Sequence, residues 1–279
     1  MSDIIKKETD GGRLHLESKF MRESLVSKDI VKSAVVVDEV NIIPYLNVIS
    51  VGGSSILDRG RSAVYPLVEE LAEINKTHRF VIGVSGGARM RHSLAIGLDF
   101  GLPTGGLATI VGAIEEQNAL LMYSLMAKHG AVRVPKDHYT DLPHYLENGM
   151  IPVLTTNPPH HYWEKPPKRG VLPENGSDFG AYMTAEVLGA NSMIFIKDQD
   201  GLYDKDPAKH KDAKLIKRIS AQEILERDQE DLIVDYSLIE MLAKARHVKE
   251  IHIVNGLKRG LIVKALNGEN AGTIIYKQE

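Results

Sequence analysis

The residues best suited to chemistry gather in Met193–Pro207, which reads MIFIKDQDGLYDKDP. A short apolar run, Met193–Ile196, gives way to Lys197, Asp198, Asp200, Tyr203 and Asp206, with Gly201 and Pro207 as breaks. Such a run suits a buried parallel strand, and ligands of open α/β sheets sit beyond the carboxyl ends of their strands. A cation, several carboxylates and an aromatic ring therefore collect where a ligand belongs. Taken alone, an Asp-Gly turn reads more readily as a solvated loop.

Three glycine-rich turns offer related chemistry. Val51-Gly52-Gly53-Ser54 exposes backbone N–H groups to an anion at the start of a helix. Ser85-Gly86-Gly87-Ala88-Arg89-Met90-Arg91 adds two guanidinium forks that suit phosphate oxygens. Gly176-Ser177-Asp178 opens another helix, where Asp178 reads as a helix cap. Singly, these are tight turns, surface ion pairs and a cap. His160 and His161 stand side by side in a proline-rich stretch. Imidazole N–H groups can donate to an oxyanion, and the bare ring nitrogens can bind a cation. Two solvated loop histidines are the plainer reading, and Trp163 beside them reads as a packing anchor.

Positioning these groups requires strands that end together. Strands are expected at 46–51, 79–84, 151–155, 190–196, 251–254 and 273–276. Helices are expected at 61–75, 88–100, 113–128, 179–189, 234–247 and 262–266. One more starts at Ser220, with Glu223 at capping-box spacing. The helix at 113–128 places Glu115 and Glu116 in its first turn, where the helix dipole favours them, and Ile114, Leu121, Leu125 and Met126 in the core. Strands alternating with helices imply an α/β fold, a mostly parallel open sheet with helices on both faces. Residues 1–40 read as a partly ordered polar extension and 41–279 as one compact domain.

A net charge of -3 gives no basic field for nucleic acid. Without cysteine there are no disulfides and no thiolate metal sites, which suits a reducing compartment. The opening residues lack the apolar core of a signal peptide, and the expectation is a cytoplasmic protein without a membrane span.

In their order along the chain, the three turns and the central loop resemble the amino acid kinase family, the uridylate kinases above all. The segment VNGLKRGLIVKALNGENAGTII resembles the closing segment of that family. The resemblance implies that Asp200, Tyr203 and Asp206 hold the base and ribose of a nucleotide. It likewise implies that Gly52, Gly53, Ser54, Gly86, Gly87 and Lys197 cradle its phosphates. Asp178, Ser50 and Arg91 fall in the catalytic positions.

Further runs resemble the oxometallate-storing branch of the family: DRGRSAVYPLVEE (58–70), GARMRHSLAIGLDFGLPTG (87–105) and EQNALL (116–121). That resemblance implies a six-subunit cage that binds ATP with Mg2+ and holds molybdate or tungstate clusters, with His160, His161 and Gln117 as cluster contacts. One departure bears on activity. Family kinases carry a lysine two residues before the Gly-Gly pair, and here that position is Ser50. Phosphoryl transfer depends on positioned charge, and exchanging an ammonium for a hydroxyl costs roughly a hundredfold or more in rate. Three readings stay open: an ATP-using storage subunit, an impaired uridylate-type kinase, and a non-catalytic shell subunit.

Overall fold

Each short apolar run becomes a strand of one eight-stranded sheet, and the intervening periodic segments become its covering helices. In the computed structural model the described residues are 5–7, 14–16, 39–155, 164, 166–168, 170–229 and 231–279. The chain divides into two units, Met1–Val40 and Asn41–Glu279. The first contains an antiparallel strand pair, Ile5–Lys7 with Leu14–Leu16.

The second unit begins with strand β1 (Asn47–Val51), helix α1 (Arg61–Ile74) and β2 (Phe80–Val84). Helices α2 (Gly87–Asp99) and α3 (Thr104–Met126) follow, then β3 (Ala131–Val134), α4 (Leu142–Glu147) and β4 (Ile151–Thr155). The second half runs α5 (Ser177–Leu188), β5 (Ser192–Lys197), β6 (Arg218–Ser220), α6 (Ala221–Arg227) and α7 (Tyr236–Leu242). It closes with β7 (Glu250–Asn255), α8 (Leu261–Leu266) and β8 (Thr273–Tyr276).

The strand order is β3-β4-β2-β1-β5-β7-β8-β6. All neighbours are parallel except β7 and β8, which run antiparallel. Side chains alternate across the sheet. Val48, Val81 and Phe195 pack on one face with Tyr182 and Leu238, while Ile49, Ile82 and Ile194 pack on the other with Leu67 and Met122. Burial on both faces explains why these strands read as unbroken apolar runs.

Two helices differ from expectation. The helix expected from 113 starts at Thr104. Gly105 and Gly106 read as breakers, yet Leu107, Ala108 and Val111 lie on its buried side and carry the helix through them. Glu115 and Glu116 are therefore mid-helix, Glu115 is fully buried, and Leu121 is exposed rather than core. The helix expected over 234–247 is confined to Tyr236–Leu242. Strands β3 and β6 and helix α4 had no expectation; each is short, and the two strands lie at the sheet edges. Among the described residues, no helix is long and apolar enough to cross a membrane.

Candidate functional site

From β1 the sheet grows outward to β2 on one side and to β5 on the other, so the strand order reverses beside β1. The crevice at such a switch point is where open α/β sheets bind ligands. It holds a cavity of about 440 Å³, walled by the ends of β1, β2 and β5, the start of α5, and residues 231–235 before α7.

Gly52, Gly53, Ser54, Gly87 and Arg91 form one wall. The two glycine turns touch through their backbones: a Cβ built on Gly53 would lie 2.3 Å from the Gly87 nitrogen. Gly87 has φ +70°, and a Cβ there would lie 2.6 Å from Asp58 Oδ2. That carboxylate accepts from the Ala88 N–H at 2.6 Å, capping α2 from the neighbouring turn. Below, Asn118 Nδ2 donates to the carbonyls of Ser85 at 2.7 Å and Gly86 at 3.0 Å. Arg59 pairs with Asp198 and so ties the first turn to the central loop.

Lys197 and Asp178 form the floor, with Lys197 Nζ donating to Asp178 Oδ2 at 2.7 Å. Their side chains are 12% and 7% exposed, so the pair is little screened by solvent. Asp178 Oδ1 is buried and has no hydrogen-bond partner among the described residues. Asp178 does not cap its own helix. Asp235 does so instead, its Oδ2 accepting from the N–H groups of Asp178 at 2.9 Å and Phe179 at 3.1 Å. Desolvation, and then the Asp178 charge, push the Asp235 carboxyl up to about 6 against the pull of those N–H groups and of Lys197.

Tyr203, Lys205 and Asp206 form the outer wall. Asp206 accepts from the Ala208 N–H at 2.8 Å, and this bond is the main cause that holds its carboxyl below the usual range. Asp200 does not line the cavity. It binds Lys258 Nζ at 2.6 and 2.8 Å and Asn255 Nδ2 at 2.8 Å, which lowers its pKa and clamps the loop to the end of β7. Ser50 does not line it either: it is buried in β1 between Gly83 and Phe195, and its Oγ has no partner among the described residues. Gly86 lies just behind the wall as the N-cap of α2. Gln117 is on the exposed side of α3, and His160, His161 and Trp163 fall outside the described residues.

The structure thus brings together Asp178, Arg91, Gly52, Gly53, Ser54, Gly87, Lys197, Tyr203 and Asp206. Asp58, Arg59, Asp231 and Asp235 join them without having been assigned a role from the sequence, and Asp198 lines the cavity as its place in the loop suggests. Asp58 and Arg59 stand in the DRGR run, which was the available signal. Asp235 reads as the cap of α7, yet it makes no side-chain cap bond there and serves α5.

Carboxylates outnumber cations on the lining: Asp178, Asp198, Asp206, Asp231 and Asp235 face Arg91, Lys197 and Lys205. Among the described residues no three acidic, His or Cys side chains form a self-sufficient metal site. The hard oxygen donors of this lining are of the kind that would suit Mg2+, and Asp178, whose Oδ1 has no partner among the described residues, would be the residue to hold it.

The amino acid kinase family matches residues 46–255. Molybdenum storage protein subunit beta of Azotobacter vinelandii is 39% identical over 260 residues, covering 93% of this chain and 96% of that protein. The chain belongs to the amino acid kinase family. A second relative in this family, the uridylate kinase of Methanobrevibacter smithii, is 28% identical over 240 residues, 83% of this chain and 99% of its own. The fold agrees with solved amino acid kinase structures. Uridylate kinase from Archaeoglobus fulgidus superposes with a TM-score of 0.64 at 22% identity, covering 82% of this chain and 99% of that one. UMP kinase from Bacillus anthracis gives 0.66 at 16% identity, covering 85% and 98%.

Proposed function

We propose that this chain is an ATP-binding subunit of a molybdate or tungstate store, and that hydrolysis of ATP with Mg2+ drives oxometallate loading. The observation that carries this reading is the 39% identity, over nearly the whole chain, to a molybdenum storage subunit. The cavity supports the nucleotide half of it. Amides of the stapled glycine turns and the Arg91 fork hold the phosphates. Tyr203 and Asp206 hold the base and ribose at the outer wall, while Asp200 acts indirectly by clamping their loop. Asp178 orients the cation or the reacting water. Mg2+, when bound, supplies charge neutralisation between phosphates and the carboxylate-rich lining.

Lys197 supplies the ammonium that Ser50 lacks. The two positions share one face of the sheet on adjacent strands, since Ser50 pairs with Phe195 and Lys197 lies two residues further on. His160, His161 and Gln117 are the proposed oxometallate contacts, because imidazole and amide N–H groups donate to oxyanions. Ile96, Leu98, Phe100, Leu120 and Leu121 are exposed on α2, α3 and the turn between them, an apolar surface that suits subunit contact in a hexameric cage.

The test is incubation with ATP, Mg2+ and molybdate or tungstate, followed by gel filtration and metal analysis. Retained metal that requires ATP is the expected result, and metal-free protein sinks the reading. The relation to uridylate kinases favours a second reading, a uridylate-type kinase slowed by Ser50. A coupled assay for UDP separates the two.

A further inference from the structure

Ser177 is the first residue of α5 and lines the cavity beside Asp178. Its Oγ donates to Oε1 of Glu115, which α3 carries at 0% exposure. Burying a carboxylate costs several kcal/mol in desolvation. A buried carboxylate that accepts from a hydroxyl on a cavity wall is how a general base meets a nucleophile. The cation on the same lining is the Lys197 ammonium, held on Asp178, while the N–H groups at the start of α5 are taken by Asp235.

We infer that Ser177 is a phosphoryl acceptor, modified by the nucleoside triphosphate bound in its own cavity. The inference rests on the nucleotide-binding reading of that cavity. In the step, a bond forms between Ser177 Oγ and the terminal phosphorus as the bond from that phosphorus to the β-phosphate oxygen breaks. The nucleoside diphosphate leaves, and the hydroxyl proton passes to the Glu115 carboxylate. The product is a phosphoserine carrying about -1.5 to -2 charge on the cavity wall, next to Lys197.

The experiment uses the full chain with ATP and Mg2+, acid quench and tandem mass spectrometry, with a fluorescent ATP analogue titrated in parallel. One phosphoryl group on Ser177 is expected. Ser177→Ala should lose it and Ser177→Thr should keep it. Glu115→Gln should slow its appearance by about 10²-fold or more, the usual scale of general-base catalysis. Nucleotide binding with no phosphate at Ser177, or labelling that survives Ser177→Ala, overturns the inference alone. Absence of nucleotide binding overturns the reading beneath it and this inference together.

Discussion

Strands β1 and β5 lie side by side and point the same way, yet their tips differ in what they present. On the shared face β1 carries Ser50, sunk in the sheet, its hydroxyl without a partner among the described residues. One step further out on that face, β5 carries Lys197, whose ammonium reaches the cavity and rests on Asp178. The ammonium on β5 is thus neutralised by a buried carboxylate, while the matching face of β1 carries a hydroxyl. Any anion that reaches Lys197 competes with Asp178 for it.

The largest effect that would sharpen this contrast is Lys197→Met. Leaving Asp178 buried without its partner should cost about 3–5 kcal/mol in urea unfolding. Loss of the positioned charge should slow ATP hydrolysis by roughly 10²–10³-fold, read as phosphate release. Ser50→Lys would challenge the contrast directly. It restores an ammonium on β1 and should raise hydrolysis by roughly tenfold or more. An unchanged rate would mean that the charge on β5 already suffices.

A smaller effect comes from Asp235, whose carboxyl lies near 6 in the fold against an ordinary value of 3.8. The folded form binds the proton more tightly, so this group favours folding below about pH 4, and that contribution is lost as pH rises through 6. Asp235→Asn keeps an acceptor for the α5 N–H groups and removes the titration. Thermal unfolding from pH 4 to 7 should show the wild type losing stability relative to that variant as pH rises. Asp58→Ala removes the remote cap of α2 and should cost about 1 kcal/mol, with weaker nucleotide binding by titration. Least of all, Arg59→Ala breaks a half-exposed ion pair, with a stability change of about 0–1 kcal/mol.

Local signals carried much of this architecture. The apolar run before Lys197 is a strand, and Ser220 caps its helix by accepting from the Glu223 N–H at 3.1 Å, as the spacing indicates. What the sequence concealed depends on distant partners. Asp235 meets the start of α5 across 57 positions of chain, so its role is invisible to any local pattern. Glu115 was misread because two glycines masked the beginning of α3, and a residue taken for a dipole-favoured surface acid is fully buried. The walls of the cavity were legible because three glycine turns and the 197–207 loop each follow or precede a buried run in order along the chain. The bonds that hold those walls in register were not.

The backbone contact between Gly53 and Gly87 leaves no room for a side chain on the first of these residues. The two turns therefore behave as a single jaw. A larger residue at Gly53 would push the two turns apart and disturb both halves of that cavity wall together.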